Sequence, residues 1–310
     1  MVAASIDEVA SRLASAPGGP PVERGRALGP LTTYRVGGDA ALFVVVESRA
    51  QVDAVLGVTA ATGVDTLVVG RGSNLLVADA GFDGLAIAVG EGLADIEIEG
   101  VTVRAGAAAP LPVVARATVA AGLTGFEWAV GVPGSIGGAV RMNAGGHGSD
   151  MATSVRSATV ADLAEGTMTQ WSAAELDFGY RRSAIGAGQV VVDAVLELAK
   201  GDRAKGEQSL SEIVRWRREH QPGGQNAGSV FTNPEGDSAG RLIDTAGGKG
   251  RRVGSAAVST KHANFIQVDP GGSADDVLAL MTELRALVMV HHGVELEVET
   301  RLVGFGDLPW

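Results

Sequence analysis

The chain has 310 residues, a formal net charge of −11 and no cysteine. The negative charge disfavours nucleic acid and anionic membranes as partners, and the absence of cysteine excludes disulfides, thiolate catalysis and cysteine-ligated metals. No run reaches the roughly 18 apolar residues of a membrane helix, and no signal peptide is recognisable, so we expect no membrane insertion and a cytoplasmic location.

Hydrophobic patterning predicts alternating strands and helices, beginning with a βαβ unit. Apolar runs over 42–47 and 66–69 predict two strands, and Ser48 between them can cap a helix with an apolar face from Val52 to Thr59. The further predicted strands are 84–89, 96–104 (a hairpin turning at 99–100), 157–163 with 167–171 (a second hairpin), 190–198 and 294–303. The further predicted helices are 112–121, 209–219 and 274–290, the last capped by Ser273, and 200–207 is a predicted linker.

Two glycine-rich segments, 131–148 and 226–244, carry the clearest functional signal. Within the first, Gly134, Ser135, Gly137 and Gly138 have almost no side-chain bulk, and we expect a loop whose backbone N–H groups can approach a phosphate closely. The second segment adds hydroxyl, amide and guanidinium groups suited to a polar substrate. Together the two segments indicate a cofactor enzyme.

A shorter glycine-rich loop, GRGSNL at 70–75, follows the predicted strand 66–69. It begins like the dinucleotide motif G-x-G-x-x-G, but Leu75 stands at the third glycine and no amphipathic helix follows. A Rossmann site needs strand, loop and helix in that order, so we reject it. The loop alone is typical of a tight turn, but in a chain that also contains the segment 131–148 it fits a second phosphate-binding loop.

Two other patterns carry little weight. The sequence G-x-S-x-G at 236–240 matches a nucleophile elbow, but no clear strand leads into it, which disfavours a hydrolase. The adjacent His291 and His292 lack the spacing of a helical metal pair, so no metal site is predicted.

Segments along nearly the whole chain resemble, in order, the UDP-N-acetylenolpyruvoylglucosamine reductase family of bacterial FAD enzymes. These segments are LTTYRVGG (31–38), VVGRGSNLLVADAGFDG (68–84), GVPGSIGGAVRMNAG (131–145), FGYRRS (178–183), NAGSVFTNP (226–234), DSAGRLI (237–243), KHANFI (261–266) and LEVETRLVG (296–304). The chain is similar to the shorter subtype, which lacks an inserted tyrosine loop.

The resemblance implies a mixed α+β and α/β fold. It implies an FAD-binding domain of the PCMH type at 28–199, built from α/β subdomains at about 28–90 and 91–199. A smaller α/β substrate domain is expected at 200–310, and a helix with a lead-in at 1–27. The implied activity is NADPH-dependent, FAD-mediated reduction of UDP-N-acetylglucosamine enolpyruvate to UDP-N-acetylmuramate, a peptidoglycan precursor needed for cell-wall biogenesis, cell shape and division.

The resemblance also implies roles for individual residues. Reduction of the enolpyruvyl group gives an enolate that needs a proton, and Ser229 matches the family's general acid. Arg181 matches a carboxylate clamp, and Glu299 matches a glutamate near the substrate carboxylate. Further substrate contacts are expected from Tyr180, Asn226, Asn233, Arg241, His220 and His262. FAD contacts are expected from Val69, Gly70, Arg71, Gly72, Ser73, Asn74, Leu75, Gly131, Pro133, Gly134, Ser135, Ile136, Gly137, Gly138, Asn143 and Gly145.

Some positions depart from the family pattern. His220 stands where a lysine that can contact the diphosphate is common, and His147 stands where an aromatic residue is common. Because there is no cysteine and His147 is the only histidine in the flavin segments, non-covalent FAD is predicted. Two alternatives stay open: another FAD-linked oxidoreductase of the same fold with a different substrate, and a non-catalytic nucleotide-binding relative.

Overall fold

The computed structural model describes residues 4–308 and 310; residues 1–3 of the expected lead-in and residue 309 of the expected substrate domain lie outside this part. The α-helices within it are α1 (Ile6–Ser15), α2 (Arg49–Thr62), α3 (Leu111–Ala120), α4 (Ile136–Met142), α5 (Arg203–His220), α6 (Ala239–Thr245) and α7 (Ala274–His292). Within the same residues, no helix is both long enough and apolar enough to cross a membrane.

The strands are mostly short. They are β1 (Val22–Ala27), β2 (Asp39–Val46), β3 (Thr66–Val69), β4 (Leu75–Val77), β5 (Phe82–Val89), β6 (Ile96–Glu99), β7 (Thr102–Gly106), β8 (Leu123–Thr124), β9 (Gly145–Gly146), β10 (Ser149–Asp150), β11 (Val155–Asp162), β12 (Thr167–Ser172), β13 (Gln189–Glu197), β14 (Ala199–Lys200), β15 (Arg252–Val253), β16 (Ala256–Val258), β17 (Ile266–Val268) and β18 (Arg301–Val303).

The first sheet is four-stranded, with order β1-β2-β5-β3, and β3 runs parallel to β5. The predicted strands and the helix between them are confirmed: the Ser48 hydroxyl caps α2, which buries Val52, Val55 and Leu56. However, β5 lies between β2 and β3, so the two strands that flank α2 are not neighbours in the sheet.

The second sheet is antiparallel and five-stranded, with order β12-β11-β13-β7-β6. Both predicted hairpins are confirmed, since β6 pairs with β7 and β11 pairs with β12. Helices α3 and α4 contribute Leu111, Val114 and Ile136 to an apolar core shared with this sheet.

A third layer combines α6 and α7 with the small antiparallel sheet β15-β16-β17 and with β4, which pairs in parallel with β18. Helix α7 starts at its Ser273 cap as predicted and ends where Gly293 adopts a left-handed conformation. The side chains of Val277, Leu280 and Leu284 on α7 are fully buried in this core.

The chain forms two compact units, and neither is continuous in sequence. The first contains residues 1–24, 41–71 and 84–217, and the second contains residues 25–40, 72–83 and 218–310. The loop GRGSNL is divided between them, because Gly70 and Arg71 belong to the first unit and the residues from Gly72 onward belong to the second.

Two predicted elements are wrong. The predicted linker 200–207 is largely helical, because α5 begins at Arg203 and Asp202 accepts the Lys205 N–H with its side chain. The predicted strand 294–303 is regular only over β18. Before β18 its backbone bonds are irregular, since the Leu296 carbonyl accepts a bond from the Arg285 side chain instead of from a strand.

Candidate active site

The first glycine-rich segment is a loop that leads into a short helix. The expectation of a continuous loop over 134–138 is wrong, since Ser135 is the N-cap of α4 and Gly137 and Gly138 lie in its first turn. The N–H groups of Ile136 and Gly137 donate to the carbonyls of Ala109 and Ala107, at 3.0 and 2.9 Å. These two N–H groups therefore hold the segment in place and do not face a ligand.

The two glycines of α4 differ in their surroundings. A Cβ on Gly137 would lie 2.9 Å from the Ala107 Cβ, so this glycine permits close packing. A Cβ on Gly138 would have no atom of the described residues within 4 Å. Glycine costs about 1 kcal/mol relative to alanine inside a helix, so an open position held by glycine fits a surface on which a flat cofactor lies.

The loop GRGSNL lies against the first glycine-rich segment within the first unit. Val69 ends β3, and a Cβ on the next residue, Gly70, would lie 3.4 Å from the Ser135 hydroxyl oxygen. The two loops predicted to hold FAD are thus neighbours, and their small residues leave the backbone accessible. These residues fit the dinucleotide cofactor that the sequence implies.

The part of GRGSNL in the second unit contacts two other predicted segments. Gly72 has φ +60°, its carbonyl accepts the Thr33 N–H at 3.1 Å, and a Cβ there would lie 2.1 Å from the Leu31 carbonyl oxygen. Asn74 donates its side-chain amide to the Glu299 carbonyl at 3.1 Å. The loop and the segment that carries Glu299 are therefore directly bonded.

Asn143 is an anchor for the surrounding loops. It ends α4 at φ +40°, is 2% exposed, and donates its side-chain amide to Asp150 at 3.1 Å and to the Gly179 carbonyl at 2.9 Å. Its carbonyl oxygen accepts the Ala152 N–H at 2.9 Å. These bonds occupy both amide hydrogens, so its predicted contact with FAD stays a prediction, for which the side chain keeps only the second lone pair of its carbonyl oxygen.

Tyr180 and Arg181 form the tip of a tight turn in the first unit. Gly179 and Arg182 exchange backbone hydrogen bonds across the turn, and Arg181 has φ +56°. The Arg181 guanidinium donates to the Gly145 carbonyl at 3.1 Å and lies 5.3 Å from the centre of the Tyr180 ring. The turn therefore presents an arginine beside an exposed aromatic ring, next to the end of the first glycine-rich segment.

Ser229 and Glu299 lie on paired segments of the second unit. Glu299 donates its N–H to the Val230 carbonyl at 2.8 Å, and Thr232 donates its N–H to the Glu297 carbonyl at 2.9 Å. Ser229, next to Val230, is half-buried, and its hydroxyl forms no hydrogen bond to any residue that the structure describes. The structure thus brings these two predicted residues together on neighbouring backbone.

The remaining predicted substrate residues have several other contacts. Asn226 accepts the Gly228 N–H in the turn before Ser229, and Asn233 accepts the Ala239 N–H at the start of α6. Arg241 pairs with Asp237 and lowers the pKa of that half-buried carboxyl to about 2. Their roles toward a substrate stay predictions.

The two predicted histidines differ in burial. His220 is exposed at the end of α5, whereas His262 is half-buried and its ring lies 4.7 Å from the Phe265 ring. Burial, with the nearby positive charge of Lys249, lowers the pKa of His262. His262 is therefore neutral at pH 7 and can accept a hydrogen bond.

The sequence did not indicate three contacts near these segments. Asn264, within KHANFI, holds the backbone beside Ser229 through its side-chain amide. The Arg217 guanidinium donates to the Gly131 carbonyl, and His147 packs edge-to-face on Trp216. The resemblance included KHANFI and His147, but spacing alone could not show which backbone each side chain contacts. Among the described residues, no cluster of three or more metal-ligating side chains occurs.

Comparison with known families assigns both halves of the chain. Residues 40–172 match the family described as FAD binding domain, and residues 220–303 match the family described as UDP-N-acetylenolpyruvoylglucosamine reductase, C-terminal domain. FAD is therefore the cofactor of this chain, and both neighbouring loops lie within the matched FAD-binding region.

Individual relatives agree with these families. The UDP-N-acetylenolpyruvoylglucosamine reductase of Heliobacterium modesticaldum is 43% identical over 88% of each chain, and reductase 2 of Symbiobacterium thermophilum is 40% identical over 93% of this chain and 94% of its own. The crystal structure of the Thermus caldophilus reductase covers 92% of this chain and 99% of its own, with TM-score 0.80 and 35% identity. The moss protein BBE-like 1 of Physcomitrella patens shares the fold alone, with TM-score 0.56 and 12% identity over 93% of this chain.

The relatives match the chain over nearly its full length, and the matched families cover both the flavin loops and the segments that carry Ser229 and Glu299. The chain belongs to the UDP-N-acetylenolpyruvoylglucosamine reductase family and is a flavin-dependent oxidoreductase.

Proposed function

We propose that this enzyme reduces UDP-N-acetylglucosamine enolpyruvate to UDP-N-acetylmuramate, with NADPH as the source of electrons. The names of relatives with 40% identity or more support the substrate, and the FAD-binding family supports a flavin route. The product is a peptidoglycan precursor, so the enzyme would serve cell-wall growth, and through it cell shape and division. Its nucleotide substrates are cytoplasmic metabolites, which supports a cytoplasmic location.

We propose that the loops around 70–75 and 131–138 hold FAD without a covalent bond. The open Cβ position of Gly138 and the contact between Gly70 and Ser135 support this assignment. FAD, when bound, takes electrons from NADPH and supplies them to the double bond of the enolpyruvyl group. Acid denaturation should then release all of the flavin from the chain.

We propose that Arg181, Ser229 and Glu299 act on the substrate and not on the flavin. Arg181 holds the enolpyruvyl carboxylate, since a guanidinium binds a carboxylate through two parallel hydrogen bonds. Its exposed turn and the neighbouring Tyr180 ring support a role in ligand binding. Ser229 gives its hydroxyl proton to the enolate carbon, and Glu299 lies near the substrate carboxylate.

The observation that carries the proposal is the pairing of the Ser229 and Glu299 segments in the second unit. A proton donor must be within hydrogen-bonding reach of the reacting atom. The Ser229 hydroxyl can turn toward a substrate, because it forms no hydrogen bond to any described residue.

The test separates the two halves of the reaction. A proton donor is needed only when the enolpyruvyl group is reduced, so Ser229→Ala should leave flavin bleaching by NADPH at the parent rate in stopped flow. Reoxidation by UDP-N-acetylglucosamine enolpyruvate should slow by about 10²–10⁴, the usual loss for a positioned acid.

Two other outcomes would contradict the assignment. Equal slowing of both halves would give Ser229 a structural role, and unchanged reoxidation would move the acid elsewhere, with Glu299 the next residue to test. Substitution of Thr232, on the same segment, with serine is a matched control that should change neither half.

A further inference from the structure

The backbone beside Ser229 is held on two sides by different groups. On one side, Val230 and Thr232 bond to Glu299 and Glu297 across the paired segment. On the other side no strand is present among the described residues, and a single residue, Asn264, takes its place. Asn264 lies just before β17 and is 3% exposed.

Asn264 bonds to the backbone of Val230 and Phe231 as a neighbouring strand would. Its side-chain oxygen accepts the Phe231 N–H at 3.0 Å, and its side-chain amide donates to the Phe231 carbonyl at 2.8 Å. Its own backbone carbonyl accepts the Val230 N–H at 2.9 Å. Phe231 is 1% exposed, so no water can replace these bonds without opening the core.

We propose that Asn264 is a positioning residue that fixes the location of Ser229. This inference rests on the proposed role of Ser229 as proton donor, but it concerns the support of that hydroxyl and not its chemistry. The segment 229–232 belongs to no regular sheet: the bridge that it forms within the described residues, between Phe231 and Val298, is isolated. The amide of Asn264 supplies the second edge, and a positioned donor loses rate when its support shifts by a fraction of an ångström.

The chemistry of the amide is specific. An amide side chain has one acceptor and two donors, and Phe231 uses one of each. Asn264→Asp keeps the acceptor for the Phe231 N–H but turns an oxygen lone pair toward the Phe231 carbonyl. Asn264→Ala removes both bonds, and the buried carboxylate of Asn264→Asp adds a repulsion against the Phe231 carbonyl, so its effect should be at least as large as that of the alanine.

The test combines a kinetic cycle with a structural readout. In Asn264→Ala, flavin bleaching by NADPH should stay within twofold of the parent, while reoxidation by UDP-N-acetylglucosamine enolpyruvate should slow at least tenfold. The double variant with Ser229→Ala should be no more than twofold slower than Ser229→Ala alone, because a residue that acts through Ser229 has nothing left to position. Amide hydrogen exchange over 229–232 should accelerate in Asn264→Ala.

Asp276→Ala is the control for general loss of stability in the second unit. The Asp276 carboxylate accepts the Ser255 N–H and hydroxyl, both at 2.7 Å, and has no bond to the Ser229 segment. This variant should have a lower Tm than the parent but parent rates in both half-reactions. Should Asn264→Ala not fold, Asn264→Ser, which adds no buried charge, gives the same three measurements.

Each other result has a distinct meaning. Unchanged amide exchange over 229–232 in Asn264→Ala would overturn the positioning role. The role would also be overturned if the two substitutions slowed reoxidation independently, so that their effects multiplied in the double variant. Faster amide exchange in Asn264→Ala, together with normal reoxidation in Ser229→Ala, would keep Asn264 as the support of this segment. The same pair of results would overturn Ser229 as the acid.

Discussion

Arg181 adopts a left-handed backbone conformation that non-glycine residues rarely take. The turn is closed by reciprocal bonds between Gly179 and Arg182, and Asn143 fixes it through the Gly179 carbonyl. A strained position held by surrounding bonds is typical of functional residues. This conformation supports a functional role for residue 181, and we propose that the role demands the guanidinium itself, beyond a positive charge on the surface.

Arg181→Lys tests this demand, because it keeps the charge and removes the planar fork. A lost bond to a charged group is worth about 1.5–3 kcal/mol, so kcat/KM should fall roughly ten- to hundredfold while the flavin absorbance per chain stays normal. Arg182→Lys is the matched control, since that exposed arginine pairs only loosely with Asp177, at 3.6 Å. A lysine variant with parent kinetics would exclude a bidentate clamp.

His262 makes stability depend on pH. Burial and Lys249 lower its pKa in the folded chain from the usual 6.5, while the unfolded chain keeps about 6.5. As pH falls below 6.5, the unfolded chain therefore gains a proton at this residue before the folded chain does, and stability is lost. We expect the fall in Tm between pH 7.5 and 5.5 to be smaller in His262→Gln than in the parent.

The exposed His291 provides the control for this measurement, and His291→Gln should show the pH dependence of the parent. A His262→Gln variant with the full parental fall in Tm would mean that other groups cause the acid sensitivity.

Sequence alone located most candidate residues at this scale but not what supports them. Ser229, Glu299 and Arg181 lie in recognisable motifs, whereas the bonds of Asn264 and Asn143 join residues 33 and 36 positions apart. Both asparagines bond to backbone groups, and a backbone group has no residue type that a sequence pattern could reveal.

At the scale of elements, helix α4 has one glycine that packs against the protein and one that we propose to lie under the cofactor. Gly137 faces Ala107, whereas Gly138 faces open space within the described part of the chain. Gly137→Ala should overpack this contact and cost about 1–3 kcal/mol of stability. Gly138→Ala should leave the stability of the flavin-free protein unchanged or raise it by up to about 1 kcal/mol, because alanine favours a helix.

We therefore expect Gly137→Ala to change stability and Gly138→Ala to change flavin retention. Thermal melts measure the first property and flavin absorbance measures the second. Gly137→Ala should lower Tm even without FAD. Gly138→Ala should keep its Tm without FAD but retain less flavin after gel filtration. Full flavin retention in Gly138→Ala would show that the cofactor does not lie over this residue.

Long apolar elements were predictable and short or polar ones were not. The buried β13 and the amphipathic α7 have clear periodicity, and their predicted bounds agree with the structure to within two residues. The first turn of α5 is polar, so it looked like a linker until the structure showed the buried Gly206 against Val119. The segment 294–300 alternates like a strand but pairs only through a few bonds.

The molecule as a whole is assembled from distant parts of the sequence. Asp79 is bonded to the N-terminus of α7, where it accepts the Ser273 hydroxyl and the N–H groups of Ala274 and Asp275 at 3.0 and 3.3 Å. A carboxylate in this position satisfies free N–H groups and complements the helix dipole. No composition shift marks such a contact, so the discontinuous units could not be predicted.

Asp79→Ala should cost about 0.5–2 kcal/mol, as the loss of a helix cap usually does, and should lower Tm by a few degrees. Asp83→Ala is the matched control, because Asp83 is exposed and lies four residues further along the chain. Equal melting temperatures for the parent and Asp79→Ala would show that the Ser273 cap alone suffices.

The parallel pairing of β4 with β18 has a consequence for synthesis. Asn74 and Glu299, which bond at the start of this pair, are 225 residues apart. At a bacterial rate of about 5–20 residues per second, the apolar strand Leu75–Val77 leaves the ribosome about 10–45 s before its partner exists. During that interval the unpaired edge of Leu75–Val77 is open to other chains. We therefore expect a chaperone that shields exposed strands to bind the nascent polypeptide of this enzyme.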